Sequence, residues 1–177
     1  MYRFLLNRNG GFSLVELLIL LSMAAVASAF SIPILTSAMQ EMQTQADAKS
    51  IATTMTYARM SAASQLTRYR MTFELGNNRW SVSKRNPDGT YTVQQATNEL
   101  SNGIARSGIT FKAESESGPP GFPAESSTMI TFNSRGVPME GEGVVYLSSE
   151  NVDYAVSVSL AGKVQFWRNQ DGQWIAK

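Results

Sequence analysis

The stretch NRNGGFSLVELLILLSMAAVASAFSIPIL, residues 7–35, limits what this chain can become more than any other part of it. From Phe12 to Leu35 it runs 24 residues, broken only by Ser13, Glu16, Ser22, Ser28, Ser31 and Pro33. About 20 apolar residues suffice to cross the hydrocarbon of a bilayer as a helix. Such a segment must be sunk in lipid or covered by other helices. Yet it carries one carboxylate, Glu16, near its start. A charge in a spanning helix costs on the order of 3 kcal/mol at the bilayer centre and less near the interface, so Glu16 needs a cation or the membrane surface close by.

The flanks set an orientation. MYRFLLNRNGG holds two arginines and no acid, and the next basic residue after the apolar run is Lys49. Under the positive-inside tendency the start stays cytoplasmic and the rest of the chain faces outward. A basic start, an apolar centre and the small triplet Ala27-Ser28-Ala29 also fit a secretory signal peptide cut after Ala29, which would release a periplasmic domain. Two features oppose that reading. A carboxylate is out of place in a signal-peptide core. The helical pattern also continues past Ala29, with Leu35, Met39, Met42, Ala46, Ile51, Met55, Ala58 and Ala62 recurring mostly every three or four residues. One helix is therefore expected from Phe12 to about Leu66, roughly 80 Å at 1.5 Å per residue. Pro33 removes an amide donor and should bend it, while Ala24, Ala25, Ala27, Ser28 and Ala29 allow close helix approach. Met42, Ile51, Met55 and Ala58 are the face expected to join a core.

After Leu66 the periodicity changes. Arg68–Leu75 and Arg79–Ser83 alternate polar and apolar residues around a Gly76-Asn77-Asn78 turn, which predicts a hairpin. Further strands are expected over Thr90–Gln94, Ile109–Lys112, Met129–Phe132, Gly143–Ser148, Tyr154–Leu160, Val164–Arg168 and Gln173–Ile175, with a mixed stretch up to Gly108. ESESGPPGFPAESS, Glu114–Ser127, reads as a long loop. Tyr57, Tyr69, Trp80 and Trp167 read as core or subunit contacts. The chain has no cysteine and no histidine. That excludes disulfides, thiolate or imidazole metal sites, and triads that need a histidine base.

Gly11-Phe12-Ser13-Leu14-Val15-Glu16-Leu17-Leu18 resembles the prepilin processing motif of type IV pilins and type II secretion pseudopilins. The resemblance implies that a membrane prepilin peptidase cuts between Gly11 and Phe12 and methylates the new amine of Phe12. It places Glu16 at the family's assembly glutamate and Pro33 at its helix-kinking proline. The opening paradox then has an answer: Glu16 lies one helical turn from the amine of Phe12, and that cation, on the same or a neighbouring subunit, offsets the buried charge and sets register. Otherwise Glu16 snorkels to the interface at a helix N-terminus, where negative charge is favoured.

MITFNSRGVP (Met129–Pro138) and VSVSLAGKVQFW (Val156–Trp167) resemble the GspH/FimT branch of minor pseudopilins and pilins. The implied fold is α+β: a cytoplasmic leader over 1–11, a transmembrane helix half over 12–35, a periplasmic amphipathic half over 36–66, and a β-rich domain of antiparallel sheets over 67–177. The implied role is a minor subunit, not an enzyme, with no cofactor. It sits in the bacterial inner membrane with a periplasmic C-terminal domain and joins other pilins in the initiating tip complex of a secretion pseudopilus or a type IV pilus.

Some FimT-type relatives capture DNA, and Lys163, Trp167, Arg168, Trp174 and Lys177 mix cations with stacking rings near the C-terminus. Charge argues against nucleic acid as a partner. Of 15 basic side chains, Arg3 and Arg8 leave with the leader, while all 14 acidic ones stay, so the mature chain falls just below neutrality. Glu140, Glu142, Glu150 and Asp153 lack calcium-loop spacing and read as a solvated acidic face, so no metal is expected.

Overall fold

The computed structural model describes residues 12–101, 109–149 and 152–177, with the backbone alone for 30–34 and 95–96. The chain divides into two compact units, Met1–Ser37 and Ala38–Lys177. Helix α1, Leu14–Ser64, contributes to both.

In the first unit the described side chains are apolar on every side of the helix. Leu14, Val15, Leu17, Leu18, Ile19, Leu20, Leu21, Met23 and Val26 are each more than half exposed, so no face is set aside for water. Ser22 and Ser28 give their hydroxyls to the carbonyls of Ile19 and Ala24, both at 2.8 Å, and so carry no unsatisfied donor into apolar surroundings. Among the described residues, no helix is long and apolar enough to cross a membrane. Side-chain description breaks off after 29 and resumes at 35, so the span expected over 12–35 lies partly outside it. The side chain of Pro33 does too, although the backbone is helical on both sides of it.

The second unit is built from the rest of α1 and two antiparallel sheets. The first sheet comprises β1 (Tyr69–Glu74), β2 (Arg79–Arg85), β3 (Tyr91–Glu99) and β5 (Met129–Phe132), in the order β3-β2-β1-β5. The second holds β4 (Thr110–Lys112), β6 (Gly143–Ser148), β7 (Asp153–Val158), β8 (Val164–Gln170) and β9 (Gln173–Ala176), in the order β4-β6-β7-β8-β9. The β1–β2 hairpin pairs Phe73 with Trp80 and Met71 with Val82. Alternation puts these apolar residues on one face because successive side chains point to opposite sides of a strand. β3 runs to Glu99, five residues beyond the expected Gln94, its ladder with β2 surviving register shifts at Val82. The mixed stretch expected after it falls largely on 102–108, outside the described residues.

One core joins both sheets to the helix. Ile51, Met55, Ala58 and Ala62 of α1 pack in one cluster with Tyr69, Met71 and Phe132 of the first sheet and Val145, Leu147 and Val156 of the second. The expected helix face needs a correction. Met42 is 70% exposed and Ala46 faces solvent, while Gln40, Thr44 and Asp47 are buried. Met42 precedes Ile51 by nine residues, about two and a half turns, which places it on the opposite side. The buried line runs Gln40, Thr44, Asp47, Ala48, Ile51, Met55 and is polar in its first turns, so hydrophobicity alone finds the wrong phase there.

A smaller second core lies on the other side of the second sheet, where Val144, Tyr146, Ala155, Trp167 and Trp174 pack with Phe122. Phe122 belongs to the loop expected over Glu114–Ser127. The loop has no regular strand, but it is pinned across the sheet: Tyr146 gives its hydroxyl to the Pro123 carbonyl at 2.6 Å, and the Trp174 indole N–H donates to the Ser117 carbonyl at 2.7 Å. Burial pushes the Tyr146 phenol up to about 12, which keeps it a donor.

The helix phase is testable. Ile51→Ala should cost about 2–5 kcal/mol through transfer and cavity terms, whereas Met42→Ala should stay within about 0.5 kcal/mol. Chemical denaturation midpoints of the two variants measure this, and equal losses would mean the phase is wrong.

Candidate functional site

Gly11 lies outside the described residues. Phe12 is 73% exposed, and Ser13 stands immediately before α1. The Ser13 hydroxyl accepts from the Glu16 backbone N–H at 3.3 Å, which satisfies one of the orphan amides of the first turn. Glu16 is thereby fixed in that turn, where the helix dipole favours a carboxylate. Among the described residues it has no ion-pair partner. Sequence reasoning found Glu16 and missed Ser13, although the Ser-x-x-Glu spacing is a helix-start signature.

In the second unit two polar contacts tie α1 to the β-rich part, one to Ser101 just after β3 and one to β8. The Asp47 carboxylate accepts from both the backbone N–H and the hydroxyl of Ser101, each at 2.8 Å. Burial holds its pKa above the usual carboxylate value, and the two bonds from Ser101 pull the other way. Six residues earlier on the helix, Glu41 pairs with Arg168 of β8 at 2.6 Å.

The two stretches MITFNSRGVP and VSVSLAGKVQFW meet on the same helix residue. Gly136 and Gly162 sit in turns at φ +72° and +78°, a region open to glycine and strained for other residues. A Cβ on Gly162 would run into the Gly136 carbonyl oxygen and lie 3.0 Å from Nε of Arg59; one on Gly136 would lie 3.2 Å from Cγ of Arg59. The Arg59 stem thus lies against both turns. The turns themselves are closed by Gly136 N–H to Asn133 carbonyl and Gly162 N–H to Ser159 carbonyl bonds.

The five residues considered for DNA separate. Trp167 and Trp174 are 8% and 9% exposed, and the Trp167 indole N–H donates to Ser157 at 2.8 Å. Their rings pack on Phe122 and Tyr146. Arg168 is held by Glu41, and Lys163 and Lys177 share the rim of a groove beside α1. Of the acidic residues weighed for calcium, Glu140 accepts from the Thr131 N–H, Asp153 pairs with Lys112 at 2.9 Å, Glu142 is exposed, and Glu150 is outside the described residues. Among the described residues no group of three or more metal-ligating side chains forms. Tyr69 and Trp80 are core residues, while Tyr57 is 47% exposed.

Residues 47–162 match the family model described as type II transport protein GspH. Among solved structures, the chain is similar to the minor pseudopilin EpsH from the type 2 secretion system of Vibrio cholerae. That match has TM-score 0.53 and 10% identity, over 70% of this chain and 95% of that one. It is also similar to the type IV minor pilin FimU of Pseudomonas aeruginosa, with TM-score 0.54 and 17% identity, over 77% of this chain and 96% of that one. At these identities the likeness is one of fold. No curated protein matches the sequence.

The matched region contains both the Asp47 clamp and the paired turns, and each can be probed. Gly162→Ala combines a left-handed φ with a blocked Cβ and should lower stability by about 2–4 kcal/mol, read as a drop in melting temperature; a loss below about 0.5 kcal/mol would refute the packing described. For Asp47 the raised native pKa means that its protonated form is favoured by folding. Its contribution is present below the unfolded carboxylate pKa and is lost as pH rises through the raised one. Asp47→Asn should therefore gain stability relative to the parent as pH goes from about 3 to 7, measured as the difference in melting temperature; a constant difference would show that Asp47 does not titrate this way.

Proposed function

Because the chain belongs to the family of type II transport protein GspH, we propose that it is a minor pilin-like subunit that joins the initiating tip complex of a type II secretion pseudopilus or a type IV pilus. In this reading a prepilin peptidase removes the leader between Gly11 and Phe12 and methylates Phe12. Residues 12–35 hold the chain in the inner membrane, and the second unit faces the periplasm. Members of the family are structural and not enzymatic.

The observation that carries the proposal is the start of α1. An apolar surface on all described sides, from Leu14 to Val26, has no use in a subunit that stays alone in water. It suits a segment that passes from lipid into a bundle of like helices. Into that surface the chain sets one carboxylate, at the turn capped by Ser13. The new amine of Phe12, on a neighbouring helix, is the cation that would offset it during assembly. The DNA-capturing alternative is weakened by the burial of Trp167 and Trp174, which removes their faces from stacking.

Glu16→Ala separates assembly from processing. The carboxylate lies beyond the scissile bond and outside the second unit, so cleavage and stability should be nearly unchanged. Losing the charge also makes residence in the bilayer more favourable. The variant should accumulate as a cleaved, membrane-bound pool, and cells carrying it as their sole copy should make fewer filaments. Normal filament numbers would remove the pairing role and leave Glu16 as a capping-turn carboxylate. A bulky residue at position 11 should instead block cleavage, read as retention of the leader in the mass of the purified chain.

A further inference from the structure

A groove of about 710 Å³ runs between α1 and the start of β8. Its walls include Ala52, Val164 and Phe166, and along it Tyr57 and Met60 are 47% and 66% exposed. Volumes of this order hold several side chains of a bound segment. Lys163 and Lys177 stand at the same groove. Arg59 precedes Met60 on the helix and lies against Gly162, the residue before Lys163, while Arg135 precedes the abutting Gly136.

Among the described residues these cations have no ion-pair partner. From Ala48 to Phe73 the chain has no aspartate or glutamate, so this flank of α1 supplies no carboxylate. The ion pairs among the described residues are Arg79–Glu99, Lys112–Asp153 and Arg168–Glu41, and none involves Arg59, Arg135, Lys163 or Lys177. Whatever covers Tyr57 and Met60 must be apolar enough to replace water there. It must also supply carboxylates, because covering Lys163 without a partner would leave a desolvated charge. The stem of Arg59, already held against two glycine turns, loses little freedom when its guanidinium takes a carboxylate.

We propose that this groove receives an acidic, apolar peptide segment of a neighbouring subunit; the proposal rests on the reading of the chain as a filament subunit. Apolar contact supplies adhesion, and the cation cluster selects the partner and its register. A nucleic acid fits less well. Ala52, Met60, Val164 and Phe166 along the groove give a phosphate backbone nothing to bind, and Trp167 and Trp174, the rings that could have stacked on bases, are buried in the second core.

The chain has no cysteine, so Met60→Cys in the full-length protein creates a unique thiol in the groove. Labelled with a maleimide benzophenone in membranes of its own host and illuminated, it should give one discrete protein adduct. The peptide mapped in that adduct should carry aspartate or glutamate among apolar residues. Asp88→Cys, in the exposed β2–β3 turn, should not give the adduct. Lys163→Glu combined with Lys177→Glu should cut the yield about tenfold with an unchanged melting temperature. No adduct above the Asp88→Cys control, a yield indifferent to the charge reversal, a mapped peptide without acids, or an adduct destroyed by nuclease would each overturn the proposal. Filament content of the chain is measured in the same cells. If the chain is in filaments and the adduct fails, the groove is misassigned and the subunit reading stands. If the chain is absent from filaments, the subunit reading itself fails.

Discussion

The second unit depends on one helix face. Ala48, Ile51, Met55, Ala58 and Ala62 are fully buried, and in one cluster they meet inner-face residues of both sheets. Each sheet has an apolar face that it cannot cover by itself, and burying a side chain such as Ile51 or Met55 contributes about 1.5–3 kcal/mol. Three alanines on this face let strands approach the helix backbone closely, which is why large residues such as Tyr69, Phe132 and Tyr154 fit opposite it with almost no exposure. Asp47 and the Glu41–Arg168 pair then fix the helix at its polar end, where apolar packing no longer specifies a position.

Arg59 does for the turn end of the domain what Asp47 does near the start of the buried face. Two glycine turns more than 20 residues apart in sequence close against one arginine stem. Dispersion along the stem and the left-handed backbone of each glycine hold them there. Arg59 thus lies against Gly162, the residue before Lys163, and Lys163 and Lys177 line a groove along an exposed apolar strip of the same helix. Stability and recognition therefore draw on the same residue.

Much of this was legible in sequence where the signal is local. The β1–β2 hairpin shows its period of two, and the Gly76-Asn77-Asn78 break coincides with a 3₁₀ turn, Leu75–Asn77. The apolar run and Glu16 announce the first unit unaided. What stayed hidden depends on partners distant in the chain. The helix phase before Ile51 follows from Asp47 meeting Ser101, 54 residues away, and not from hydrophobicity. Trp167 and Trp174 look like a stacking surface until the loop carrying Phe122 lies over them. The Arg59 cluster has no sequence signature, since its turns are recognisable singly but their convergence is tertiary.

The loop over the second core has a consequence for how such a chain survives before it is complete. The β6 run Gly143-Val144-Val145-Tyr146-Leu147 is buried on both faces, so either face left bare would offer an uncharged, strongly β-forming template to another chain. The helix guards one face and the loop the other. Pro119, Pro120 and Pro123 stud that loop, and residues without an amide donor cannot add a regular strand to a sheet. The cover therefore shields an aggregation-prone segment without itself becoming a seed for aggregation.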